Sequence, residues 1–126
     1  MPAARLLIAV LTVEALALAF TTPQENAQVD QGKDLFARRC SGCHAPDIDM
    51  EGPRLRGVYG RSAAGVPGFG YSDSLRKLNI RWDEKSLDRW LTDPSAMARD
   101  TDMEFRLGVS EERKAVIAYL KSLGKK

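Results

Sequence analysis

The sequence predicts a small all-α domain, three to four helices with long loops wrapped around one bound group, and three observations carry that reading. Apolar residues recur at helical spacing around Leu35, Leu87 and Val116, whereas no segment shows the alternation of period two that marks a half-buried strand. The stretch from Ala45 to Ile80 is dense in Gly and Pro and sustains neither period, and so long a loop is rare in a compact domain unless it wraps something or carries function. Finally, 126 residues with this much loop leave a thin apolar core, which a large apolar ligand would complete.

Composition narrows the function classes. The length fits one domain, and 19 Lys+Arg against 17 Asp+Glu give a formal charge of +2, too balanced to suggest a nucleic-acid binder. A single histidine excludes sites that need two imidazoles, including HExxH proteases and bis-histidine haem proteins. The two cysteines, Cys40 and Cys43, stand too close together to staple a disulfide scaffold.

Along the chain, residues 1–20 open with Met1-Pro2-Ala3-Ala4-Arg5 and continue as an apolar run broken mainly by Thr12 and Glu14. This pattern predicts a secretory signal peptide, with Ala17-Leu18-Ala19 offering the small residues a signal peptidase reads, or else an uncleaved N-terminal anchor. The run is short for a membrane span and Glu14 would be costly in hydrocarbon, so export is the expectation. Residues 21–30, polar and containing Pro23, read as a linker, and residues 31–124 as the domain.

The first helix is expected from Gln31, capped by Asp30, with Leu35, Phe36 and Cys40 on one side. A short helix over Asp83 to Asp93 presents Leu87, Trp90 and Leu91 on one face and ends at Pro94. In the last helix Ser110 is placed to cap and Glu111 and Glu112 favour the N-terminal dipole. Val116, Ile117, Leu120 and Leu123 form its apolar stripe before Gly124.

The chemistry lies where the first helix meets the loop. Cys40-Ser41-Gly42-Cys43-His44 is a CxxCH motif, the signature of covalent c-type haem attachment. Two thiols three positions apart can add to the two vinyl groups of one porphyrin while the adjacent imidazole ligates iron. A thioredoxin-like dithiol also uses CxxC but follows a strand, and a structural zinc would need a carboxylate as fourth ligand. With no second histidine, methionine is the natural ligand for the opposite face of the iron. Met1 lies in the apolar leader, Met50 too near His44, and Met97 reads as core packing. Met103, in the polar segment Ala98 to Phe105, can cross the ring as a strap. A water-bound or empty sixth position is the alternative.

From Gln31 to Leu123 the chain resembles the class I c-type cytochromes, of the mitochondrial type and its bacterial relatives. The motifs that carry the resemblance follow CxxCH in order: Gly52-Pro53-Arg54-Leu55-Arg56-Gly57-Val58-Tyr59-Gly60-Arg61, Pro67-Gly68-Phe69, Tyr71-Ser72-Asp73, Ile80-Arg81-Trp82, Asp93-Pro94, Thr101-Asp102-Met103 and Ile117-Ala118-Tyr119-Leu120-Lys121. The resemblance implies a small cytochrome c fold with one haem c, His44 and Met103 as the iron ligands, and a Pro53 carbonyl fixing the His44 ring. Arg61, Tyr71, Trp82 and Thr101 fall at family positions that donate to the haem propionates. Gly32 and Phe36 are expected to meet the last helix near Val116 and Tyr119.

Departures from the family carry their own expectations. The segment between His44 and Gly52 is shorter than in the mitochondrial type, which suggests a bacterial protein. Arg99-Asp100-Thr101-Asp102 replaces Pro-Gly-Thr-Lys, which predicts a more mobile strap. Trp90 stands where relatives often carry tyrosine and Leu75 where many carry asparagine, which predicts fewer polar groups near the iron. Ser95, Ala96 and Asp102 replace lysines at the haem edge, while Arg38 and Arg39 keep part of a basic rim. The function implied is that of a one-electron carrier, not an enzyme, shuttling between donor and acceptor redox proteins in weak, transient complexes outside the cytoplasmic membrane, in the bacterial periplasm. A monomer is expected, with no nucleic-acid partner and with membrane contact only through an uncleaved leader. The alternative function is a haem enzyme or gas-binding haem protein with an open sixth site.

Overall fold

Thr22, not Asp30, begins the first helix. In the computed structural model, which describes Met1 and residues 22–124, α1 runs Pro23–Arg39. Thr22 Oγ1 accepts the Glu25 N–H at 3.3 Å and the Glu25 carboxylate accepts the Thr22 N–H at 2.9 Å, a reciprocal capping box. Pro23 takes the first helical position, where a missing N–H costs nothing and the fixed φ suits the turn. The expected linker over 21–30 is therefore corrected: residues 23–30 are the largely exposed, mostly polar first turns of α1, with Gln28 and Val29 half-buried. The leader over 1–20 lies, Met1 apart, outside the described residues, and no helix among those described is long and apolar enough to cross a membrane.

Among the described residues four further helices follow: α2 (Asp73–Lys77), α3 (Glu84–Thr92), α4 (Pro94–Met97) and α5 (Ser110–Leu123). No strand occurs among the described residues; Ser62 and Arg81 form an isolated bridge. The long stretch is loop as expected except for α2, whose first turn Ser72 caps by accepting the Leu75 N–H at 3.3 Å. Asp83 and Ser86 form a second capping box at the start of α3, and Pro94 both follows its end and opens α4. Ser110 does not cap α5. Val109 is the N-cap and offers no side-chain acceptor. Arg113 secures the entry instead, donating to the Leu107 and Gly108 carbonyls at 3.0 Å and pairing with Asp88 of α3 at 2.7 Å.

α1 and α5 cross at Gly32. A Cβ there would lie 1.9 Å from the Ala115 carbonyl oxygen and 2.9 Å from Tyr119 Cβ, so only glycine lets the backbones meet. The Phe36 and Tyr119 rings close the crossing with centroids 5.4 Å apart, as the resemblance implied. Residues 60–63 run beside 80–82: the Gly60 N–H donates to Trp82 O at 2.7 Å, the Trp82 N–H to Arg61 O at 2.8 Å, and the Ala63 N–H to Ile80 O at 2.9 Å. Gly60 makes its turn at φ +86°, a conformation that L side chains rarely adopt. This pairing sets Arg61 beside Trp82. Arg56 ties the loop to the end of α5 by donating to the Leu123 carbonyl at 2.8 Å.

Candidate haem site

The end of α1 delivers the motif as a continuing turn. The Cys40 N–H reaches Phe36 O at 2.9 Å, and the N–H groups of Cys43 and His44 reach Cys40 O at 3.1 and 2.9 Å. Both cysteines and His44 thereby line one cavity of about 300 Å³. Its walls are mainly apolar, with Phe36, Val58, Leu75, Leu87, Trp90, Leu91, Val116 and Leu120 drawn from four of the helices and the loop.

His44 Nδ1 lies 2.8 Å from the Pro53 carbonyl oxygen. A carbonyl only accepts, so Nδ1 carries the proton and Nε2 keeps a free lone pair, the state a metal ligand requires. Burial holds His44 below the ordinary imidazole pKa, against the opposing pull of the Pro53 bond, which preserves that neutral form. Gly52 leaves room for the ring: a Cβ there would sit 2.3 Å from His44 Cε1. Both thiols are shifted up, Cys40 by burial and Cys43 by desolvation followed by the charge of Glu51. A reactive dithiol needs the reverse shift, and this pair lies beyond a helix rather than a strand.

Of the four methionines, only Met103 lines the cavity. Met1 and Met50 are exposed, and Met97 packs against the core elsewhere. The Trp90 indole N–H donates to Met103 Sδ at 3.2 Å, so the expected loss of a polar group at this position is corrected. The Trp82 and Trp90 rings pack edge to face with centroids 5.4 Å apart. The strap is also better fastened than its sequence suggested. Asp100 accepts from the Ser74 N–H at 3.2 Å and from the Ser74 hydroxyl, and the Met103 N–H donates to Thr101 Oγ1 at 3.2 Å. No proline is needed to hold such a segment when a carboxylate ties it to the first turn of α2.

The four residues that the resemblance assigns to the propionates, Arg61, Tyr71, Trp82 and Thr101, all line the same cavity. Arg61 donates to the Arg54 and Arg56 carbonyls at 3.1 and 3.4 Å, yet its buried Nε has no partner. Burial pulls its pKa down, with only partial compensation from Tyr71. A half-buried guanidinium whose buried Nε–H is an orphan, on a cavity wall, calls for an anion inside. Tyr71 accepts the Val66 N–H at 3.1 Å, which leaves its own proton free to donate. The residues present therefore fit an apolar macrocycle that carries carboxylates.

Of the two expected rim cations, both exposed, Arg39 lines the cavity itself and Arg38 does not. Three of the four exposed charges there, Glu51, Asp102 and Glu104, are acidic. Sequence reasoning missed Glu51 and Glu104 because nothing local ties either of them to a rim.

Residues 29–124 match the family model described as Cytochrome c. The chain is 36% identical over 97 residues to the cytochrome c of Euglena viridis, covering 75% of this chain and 95% of that protein. It is 40% identical over 87 residues to cytochrome c2 iso-2 of Magnetospirillum molischianum, covering 67% and 90%. The solved structure of cytochrome cH from Methylobacterium extorquens is similar with a TM-score of 0.71 and 35% identity, covering 75% of this chain and 97% of that one. On these matches the chain belongs to the cytochrome c family, as a class I cytochrome that carries electrons on one covalently attached haem c.

Proposed function

We propose that His44 and Met103 would hold the haem iron as its two protein ligands and that the protein works as a one-electron carrier with no open iron site, catalysing no reaction of its own. The observation that carries this reading is that Met103 is the one methionine on the wall that His44 also lines, with its sulfur held by the Trp90 N–H. Haem bound there supplies a single electron by cycling between ferrous and ferric iron, and thioether ligation favours the reduced form. The chain's part is to keep both ligands in place. The Pro53 carbonyl fixes the imidazole tautomer, Trp90 and the Asp100 and Thr101 contacts hold the strap, and the apolar walls exclude water. Arg61, Tyr71, Trp82 and Thr101 hold the propionates, the unpartnered Arg61 Nε being the strongest support for that assignment.

The apolar leader supports export, as does covalent haem attachment, so the site of action is the periplasm or the outer face of the cytoplasmic membrane. Donor and acceptor are redox proteins bound weakly and transiently, and the carrier acts as a monomer. Met103→Ala tests the assignment: the haem-loaded variant is expected to lose its low-spin, six-coordinate spectrum and to bind carbon monoxide. An unchanged spectrum would refute Met103 as the ligand.

A further inference from the structure

We propose that the rim of the haem cavity is the docking surface for a redox partner that presents a basic face, an inference that rests on the carrier reading above. The exposed charged residues of the cavity lining are Glu51, Asp102, Glu104 and Arg39. Three carboxylates thus face one guanidinium, in a chain whose formal charge is +2. The exposed charge on the cavity lining is opposite in sign to that of the whole molecule.

These carboxylates are available to a partner. Asp102 and Glu104 enter no ion pair among the described residues. Glu51 receives a hydrogen bond from the Cys43 thiol, Sγ to Oε2 at 3.6 Å. Haem attachment consumes that donor: the sulfur bonds to a vinyl carbon and the thiol hydrogen goes to the neighbouring one, leaving Glu51 a carboxylate with no S–H to accept from. The single cation is held down, the Arg39 guanidinium lying 5.4 Å from the centre of the Phe105 ring. Opposite charges act across about 10 Å at 0.1 M salt and speed encounter. The partner that fits therefore carries lysines and arginines around its own electron-transfer site.

The test uses the haem-loaded, nitrogen-15-labelled protein, reduced, with its low-spin spectrum recorded first. Amide shifts are followed on adding tetralysine and, separately, tetraglutamate as redox-inert probes. Tetralysine is expected to shift the amides of residues 51 and 102–104 saturably, with the effect suppressed by about 0.5 M salt. The E51Q/D102N/E104Q variant is expected to bind it at least about tenfold more weakly, and Glu104→Gln alone about threefold more weakly should the triple variant not fold. Tetraglutamate shifting those amides instead, neither peptide shifting them, or variants that bind tetralysine as well as the parent would overturn the proposal while leaving the carrier reading intact. A starting protein without a low-spin spectrum would overturn the carrier reading and the partner with it.

Discussion

At Met103 the donor to the sulfur is an indole, reached across the chain from Trp90 on α3. A sulfur lone pair engaged by an N–H is a slightly weaker base, yet it is held in one orientation by a ring packed edge to face on Trp82. Trp90→Phe keeps the packing and deletes the bond. Imidazole added to the variant is expected to displace Met103 at about fivefold lower concentration, since a net hydrogen bond is worth about 1 kcal/mol. Visible absorption during the titration measures this, and an unchanged midpoint would deny Trp90 a positioning role. Residues differ in how far sequence exposes them. Cys40, Cys43 and His44 fall within five consecutive positions, so their chemistry is readable from spacing alone. Met103 needed elimination among four methionines, and only the cavity wall separates it from Met97. The Trp90 bond was not readable at all, because it joins two residues whose relative placement depends on how the strap folds back over α3.

Among the elements, the strap from Ala98 to Phe105 depends on Asp100. Its hydrogen bonds to Ser74 hold the carboxyl below the usual aspartate pKa. A depressed folded-state value means the stabilisation is fully present above the unfolded pKa and is lost as pH falls through the folded one, so the strap loosens below about pH 4. The weak long-wavelength sulfur-to-iron band is expected to fade on acidification over that range. In Asp100→Asn that component of the pH dependence disappears and the band is weaker already at neutral pH. The α1–α5 crossing makes a stricter demand. Gly32→Ala places a methyl group into the Ala115 carbonyl, which only backbone movement relieves. Overpacking of this kind costs about 1–3 kcal/mol, and thermal unfolding of the haem-loaded variant is expected at least about 5 °C lower. Helices with a strong apolar stripe, α3 and α5, were legible in the sequence. The start of α1 was misread because its first turns are polar and solvated, so periodicity is silent there and the Thr22/Glu25 capping pair is the signal that remains. α2 is only five residues long, too short for any period to register.

At the scale of the whole molecule, ten of the sixteen buried core hydrophobics among the described residues also line the cavity. The interior is thus built around the cofactor, which is the physical content of a thin core joined to long loops. The Cys40→Ala/Cys43→Ala chain, unable to tether haem, is expected to lose its cooperative thermal transition and its near-ultraviolet circular dichroism, because a small domain has only about 5–15 kcal/mol of stability to lose. A cooperative transition in that variant would show that the polypeptide folds on its own. Closed ligation by His44 and Met103 is the central claim, and the visible spectrum of the haem-loaded protein, oxidised and reduced, with and without carbon monoxide, tests it most directly. The expected result is a low-spin spectrum with the weak long-wavelength sulfur-to-iron band, indifferent to carbon monoxide. A high-spin spectrum that shifts on adding carbon monoxide would contradict it and point to an open iron with a catalytic or gas-binding role.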